Sequence, residues 1–149
     1  MEFYIAYGSN LSVEQMAFRC PTARIVGTTV IRDWKLAFGR HATIEPCQGA
    51  KVPALVWAIE DEDERSLDRY EGFPKYYEKD WLAVEVDGEP LMAMVYIMTE
   101  IQKAGTPSLE YCGTILEGYK RFGFDQAILE KALDECMKGG GYETDQVHV

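Results

Sequence analysis

From Ala23 to Ile59 the chain is written almost wholly for strands: β-branched Ile25, Val26, Thr28, Thr29, Val30 and Ile31, then alternating Trp34, Leu36 and Phe38, then the run Ala54 to Ile59. No helical pattern interrupts this stretch. Parallel strands need a crossover of a dozen or more residues, usually a helix, so consecutive strands without one pair antiparallel. An open, doubly wound parallel sheet is therefore the wrong class. The expected class is α+β, with a mixed, mostly antiparallel sheet curled into a small β-barrel and helices on its flanks.

The helices fall on either side of that block. Glu2 to Tyr7 reads as a strand that stops at Gly8, where a glycine opens backbone angles closed to other residues. Ser12 stands three residues before Gln15, a capping-box spacing, and Val13, Met16 and Ala17 give an apolar face until Pro21. Asp61 and Glu64 open a second short helix closed by Gly72 and Pro74, with Glu71 in its last turn. Trp81 to Val86 and Leu91 to Met98 flank Asp87-Gly88, a hairpin turn. Leu109, Cys112, Ile115, Leu116 and Tyr119 form one helical stripe ending near Gly123, and Ile128, Leu129, Ala132, Leu133 and Cys136 form another. With no repeat and no linker, residues 1–149 read as one domain, and residues 139–149, beginning with the glycine run Gly139 to Gly141, as a C-terminal tail.

Charge narrows the partners. Fifteen basic against 25 acidic residues leave a net charge of −10, whose field repels nucleic-acid backbones and anionic membranes. The longest apolar run, Leu91 to Met98, is far short of the ~20 residues of a spanning helix. The first residues carry no basic and apolar leader pattern, so a cytoplasmic location is expected. Cys20, Cys47, Cys112 and Cys136 form no C-x-x-C pair, and only His41 and His148 could complete a zinc set, so no metal is expected and the thiols read as reduced core hydrophobes. The chain holds no Gly-Lys-Ser or Gly-Lys-Thr, G-x-G-x-x-G, H-E-x-x-H or G-x-S-x-G. Chemistry without a cofactor remains.

Two segments can carry it. Tyr7-Gly8-Ser9-Asn10-Leu11 leads from a strand through a glycine turn into a capped helix, where unpaired amides accept a carboxylate or an oxyanion. The bland reading is a turn whose Ser9 and Asn10 satisfy local backbone groups. In Leu67-Asp68-Arg69-Tyr70-Glu71-Gly72-Phe73-Pro74, Leu67 and Glu71 share a helix face, so an inward Leu67 carries Glu71 to the edge of the core. Helix-end position and burial both push its pKa upward, as a proton carrier near neutrality requires. The bland reading there is a solvated glutamate on an acidic helix.

Taken with their flanks as Ile5 to Leu11 and Ser66 to Tyr77, and together with the Tyr96-Ile97-Met98 strand and the helix from Pro107 to Gly123, these segments, in this order and spacing, resemble the gamma-glutamylcyclotransferase-like family. The resemblance implies a small β-barrel with flanking helices and a substrate cavity lined by Tyr7, Gly8, Ser9, Asn10 and Leu11. It further implies Glu71 as the essential glutamate, Tyr77 (or its neighbour Tyr76) and Tyr111 at the cavity, and no cofactor. The implied activity is cyclisation of a small gamma-glutamyl amino acid or amine to 5-oxoproline with release of the amine, an acyl transfer within one molecule. A non-catalytic small-ligand-binding module of the same fold is the competing implication.

Overall fold

The computed structural model describes residues 1–100 and 104–138. The expected tail, residues 139–149, lies outside the described residues. In chain order the elements are β1 (Glu2–Ala6), a 3-10 turn (Ser9–Leu11), α1 (Val13–Arg19), β2 (Arg24–Phe38), β3 (Ala42–Ile59), α2 (Asp61–Glu71), β4 (Tyr77–Val86), β5 (Glu89–Met98), α3 (Leu109–Phe122) and α4 (Gln126–Cys136).

The β-branched block becomes a single long hairpin, β2 against β3, with Thr28 opposite Leu55 and Leu36 opposite Ile44. Its register shifts between Ile25 and Gly27 and again between Arg32 and Trp34. Each shift bends the ribbon and adds twist, which lets strands this long wrap around a core. Asp33, at the second shift, has a φ of 67° and accepts the Gly49 amide through its carboxylate at 2.9 Å. The second hairpin turns at Asp87-Gly88 and pairs Tyr77 with Met98 through Val86 with Glu89. Strand β1 lies between the hairpins, antiparallel to β3 and parallel to β5, giving the order β2-β3-β1-β5-β4. Flanked on both sides, it buries Tyr4, Ile5 and Ala6. The mixed, mostly antiparallel α+β expectation holds.

The closed barrel does not. Edge strands β2 and β4 come face to face, yet no ladder joins them among the described residues. Thr29 Oγ1 donates to the Glu85 carbonyl at 2.6 Å, and a Cβ on Gly27 would sit 2.6 Å from Val86 Cγ1. The shift beside Gly27 breaks the row of edge amides a ladder needs, and a side-chain bridge takes its place. The sheet is a curled one with a seam.

The cap of helix α2 is Glu60, one residue before the expected Asp61, because the Asp63 carboxylate accepts the Glu60 amide at 2.9 Å; the same carboxylate accepts the Thr22 hydroxyl at 2.6 Å. It ends at Gly72 in the left-handed conformation (φ 70°), where the Phe73 amide bonds the Asp68 carbonyl at 2.9 Å. All four cysteines are free thiols, but only Cys20 is a core residue; Cys47, Cys112 and Cys136 are half-buried. Among the described residues no helix is long and apolar enough to cross a membrane.

Candidate active site

The end of β1 and the 3-10 turn run across one end of the curled sheet, and every polar side chain there is tied. Tyr7 Oη donates to the Tyr96 carbonyl of β5 at 2.6 Å. Asn10, 3% exposed, donates through Nδ2 to Tyr4 Oη at 2.9 Å, and its carbonyl accepts the Trp57 indole N–H at 3.2 Å. Ser9 Oγ lies 3.1 Å from Tyr70 Oη. The turn engages the Leu11 and Ser12 amides with the Gly8 and Ser9 carbonyls at 3.0 Å. The Ser9 and Asn10 amides, first in the turn, have no partner within it.

The structure changes the reason for Gly8. Its φ is −124°, so no left-handed angle is at stake; a Cβ there would stand 3.2 Å from Ala42 Cβ and 3.4 Å from Tyr111 Oη. The glycine makes room for α3 and β3. It also differs from expectation that the loop does not enter α1 directly: α1 is capped by Ser12, whose Oγ accepts the Gln15 amide at 3.2 Å, and this end lines an outer groove between α1 and α3.

Opposite the loop, Leu67 is fully buried, and Glu71, four residues on, is brought to the cavity. Helix α2 is moored by Lys79 of β4, whose Nζ lies 2.6 Å from Glu64 Oε2 and 3.0 Å from Asp68 Oδ1, and by Tyr96 Oη, which donates to Asp68 at 2.6 Å. Glu71 is half-buried and lines the cavity. Among the described residues its carboxyl has no hydrogen-bond partner. Burial raises its pKa from about 4.5 to about 7, against a smaller lowering by Arg19.

Around this carboxyl stand phenols. Tyr77 Oη donates to the Ala42 carbonyl at 2.7 Å, and Tyr111 Oη accepts the Ala42 amide at 3.0 Å, so the start of β3 is held on both sides. Burial pushes the hydroxyls of Tyr4, Tyr7, Tyr77, Tyr96 and Tyr111 above the ordinary tyrosine range, keeping them neutral donors. The cavity they enclose measures about 20 Å³, the room of a single water molecule. Larger depressions, of about 710 Å³ along the β2/β4 seam and 570 Å³ between α1 and α3, are open troughs away from Glu71.

Of the residues singled out in the sequence, Tyr7, Gly8, Ser9, Asn10, Glu71, Tyr77 and Tyr111 converge on this cavity. Tyr77 is 4% exposed and lines it, whereas Tyr76, 36% exposed, does not. Leu11 stands off the wall, fully buried beneath Gly118 of α3. Tyr4 and Tyr96 line the cavity without having been singled out. Tyr96 sits in a segment that carried the resemblance, and Tyr4 lies on the strand feeding the loop; a polar aromatic there was the available signal.

The chain is similar to known proteins in both sequence and fold. Residues 4–114 match the family model described as gamma-glutamyl cyclotransferase, AIG2-like. The chain is 30% identical over 145 residues to gamma-glutamylcyclotransferase from Mus musculus, covering 86% of this chain and 75% of that protein, and the Homo sapiens protein matches with the same figures. A solved structure of a gamma-glutamyl cyclotransferase superposes with a TM-score of 0.78 at 29% identity, over 88% of this chain and 85% of that one.

Proposed function

Since the chain belongs to the gamma-glutamyl cyclotransferase, AIG2-like family, we propose that it converts a gamma-glutamyl amino acid or amine to 5-oxoproline and the free amine, with Glu71 as general base and then general acid. The α-nitrogen of the substrate attacks its own γ-carbonyl carbon. A five-membered lactam forms, the original amide C–N bond breaks, and the departing nitrogen takes a proton. No water and no enzyme nucleophile enter the balance. Because nucleophile and electrophile share one molecule, holding it folded supplies part of the ~7 to 11 kcal/mol that proximity offers at best.

The protein's part is then proton traffic and charge. Ionised Glu71 accepts a proton from the α-ammonium and passes it to the leaving nitrogen, then relays the second proton that the α-nitrogen sheds on closing the ring, so that the amine departs as an ammonium. The Ser9 and Asn10 amides, with the hydroxyls of Tyr4 and Tyr111, which accept from Asn10 and the Ala42 amide, donate to the anionic oxygens of the substrate and to the oxyanion that develops. Tyr7, Tyr77 and Tyr111 stand where the glutamyl portion is held, so the cavity of about 20 Å³ must widen to admit it, and Gly8 keeps the loop against them. The reaction needs no metal or cofactor.

The observation that carries this reading is the Glu71 carboxyl itself, unpartnered among the described residues, facing a cavity of phenols, and raised to a pKa of about 7. Its test is release of 5-oxoproline from a panel of gamma-glutamyl dipeptides and amines by the wild type, with Glu71→Gln alongside and exhaustive chelation as a second arm. Release by the wild type alone, untouched by chelation, is the expected result. Full release by Glu71→Gln removes the glutamate from the mechanism, and binding of 5-oxoproline without any turnover leaves a binding module in its place.

A further inference from the structure

Arg19 closes α1 at the end where the helix dipole favours a cation, and it lies outside the cavity wall. Its Cζ sits 3.4 Å from the centroid of the Tyr70 ring, and its Nη1 donates to Asn10 Oδ1. Ser66 Oγ donates to the Arg19 carbonyl at 2.6 Å. One residue thus ties the end of α1 to the loop on one side and to α2 on the other. In a chain of net charge −10, Arg19 forms no ion pair among the described residues. Both of its side-chain partners are neutral, and Tyr70, whose ring it covers, immediately precedes Glu71 in α2, so its charge acts on that carboxyl.

We propose that Arg19 is a positioning residue which, on the reading of Glu71 as proton carrier, fixes Asn10 and Tyr70 about the cavity and holds the Glu71 carboxyl ready in its ionised form. The other groups facing Glu71 cannot do this: Tyr4 of β1, Tyr7 after it, Tyr77 of β4, Tyr96 of β5 and Tyr111 of α3 are neutral near pH 7. Behind them, Lys79 is held by two carboxylates, Glu64 at 2.6 Å and Asp68 at 3.0 Å, so this cluster offers Glu71 no net positive charge. Burial and Arg19 act on Glu71 in opposite senses. Without the guanidinium the acid would stay protonated further into the alkaline range, and fewer molecules would be ready to take a proton.

The test reads the carboxyl directly. In the full chain labelled with ¹³C at glutamate side-chain carboxyls, the Glu71 signal is identified by its loss in Glu71→Gln and titrated in wild type, Arg19→Gln and Arg19→Lys. Arg19→Gln is expected to move the midpoint up the pH scale by about 0.5 or more, and Arg19→Lys to restore most of that difference. The alkaline-rising limb of kcat/KM should move the same way. A midpoint that Arg19→Gln leaves in place, or that both variants move equally, overturns the proposal. Should Arg19→Gln not fold, Tyr70→Leu removes the ring under the guanidinium; an unmoved midpoint there overturns it too. Because the titration needs no turnover, an absent cyclotransferase activity defeats the functional reading and leaves this measurement standing.

Discussion

A carboxyl with a pKa of about 7 is half-ionised near neutrality, and that fixes how Glu71 must behave in three separate measurements. As a base before reaction it must be ionised, so kcat/KM should rise with pH through about 7, and the limb should vanish in Glu71→Gln. That variant should keep the fold and lose turnover by about 10²-fold or more in a steady-state assay. The third consequence concerns stability. The folded protein holds this proton more tightly than the unfolded chain does, so the stability Glu71 contributes is whole below about 4.5 and is lost as the pH rises through about 7. Glu71→Gln has no such proton to lose; its Tm should exceed that of wild type at pH 8, and the gap should close toward pH 4.5, as thermal unfolding across that range will report. The glutamate was legible in the sequence because a single helical spacing from Leu67 puts it at the core edge. Tyr4 and Tyr96 were not, since a tyrosine in a strand carries no sign of which face meets a cavity until the partners of both strands are known.

At the scale of elements, the site depends on how closely α3 approaches the loop. A Cβ on Gly118 would fall 2.6 Å from Leu11 Cβ, whereas one on Gly113, in the same helix, would meet nothing within 4 Å. The two glycines therefore predict opposite outcomes for one chemical change. Gly118→Ala should destabilise by about 1–3 kcal/mol through overpacking and raise KM by shifting the loop, while Gly113→Ala should stabilise by up to about 1 kcal/mol through helix propensity, both read by urea unfolding. The same reasoning ranks the loop itself: Ser9→Ala loses one hydrogen bond to Tyr70, but Gly8→Val drives a side chain into Ala42 and Tyr111, so turnover should suffer far more from the second. Periodicity and turn residues marked nearly every element, because caps and hairpin turns are local chemistry. They did not mark the 3-10 turn, which separates the loop from α1 and hands the unpaired amides to Ser9 and Asn10. A three-residue helix has no period to read.

Over the whole molecule, the expectation of a closed barrel failed where local signals end. The hydrophobic pattern dictates that a sheet must curl over one core, but ladder closure depends on whether two edges distant in sequence, β2 and β4, present matching rows of amides. A register shift beside Gly27 decides that they do not. What holds the seam is the Thr29 hydroxyl on the Glu85 carbonyl. Thr29→Val should cost about 1 kcal/mol and speed hydrogen exchange in β4, with Thr29→Ser close to wild type in both. The parallel contact of β1 with β5 escaped notice for the same reason, since nothing near Tyr4 foretells Met94. On the other side of β1, the antiparallel ladder that sets Trp57 of β3 opposite Tyr4 brings its indole to the Asn10 carbonyl, where it is 4% exposed, while Trp81 is 52% exposed. The molecule thus carries its own lamp: with Trp34 and Trp81 changed to phenylalanine, the colour and brightness of a single indole would register each time the loop takes hold of, or lets go of, what enters beneath it.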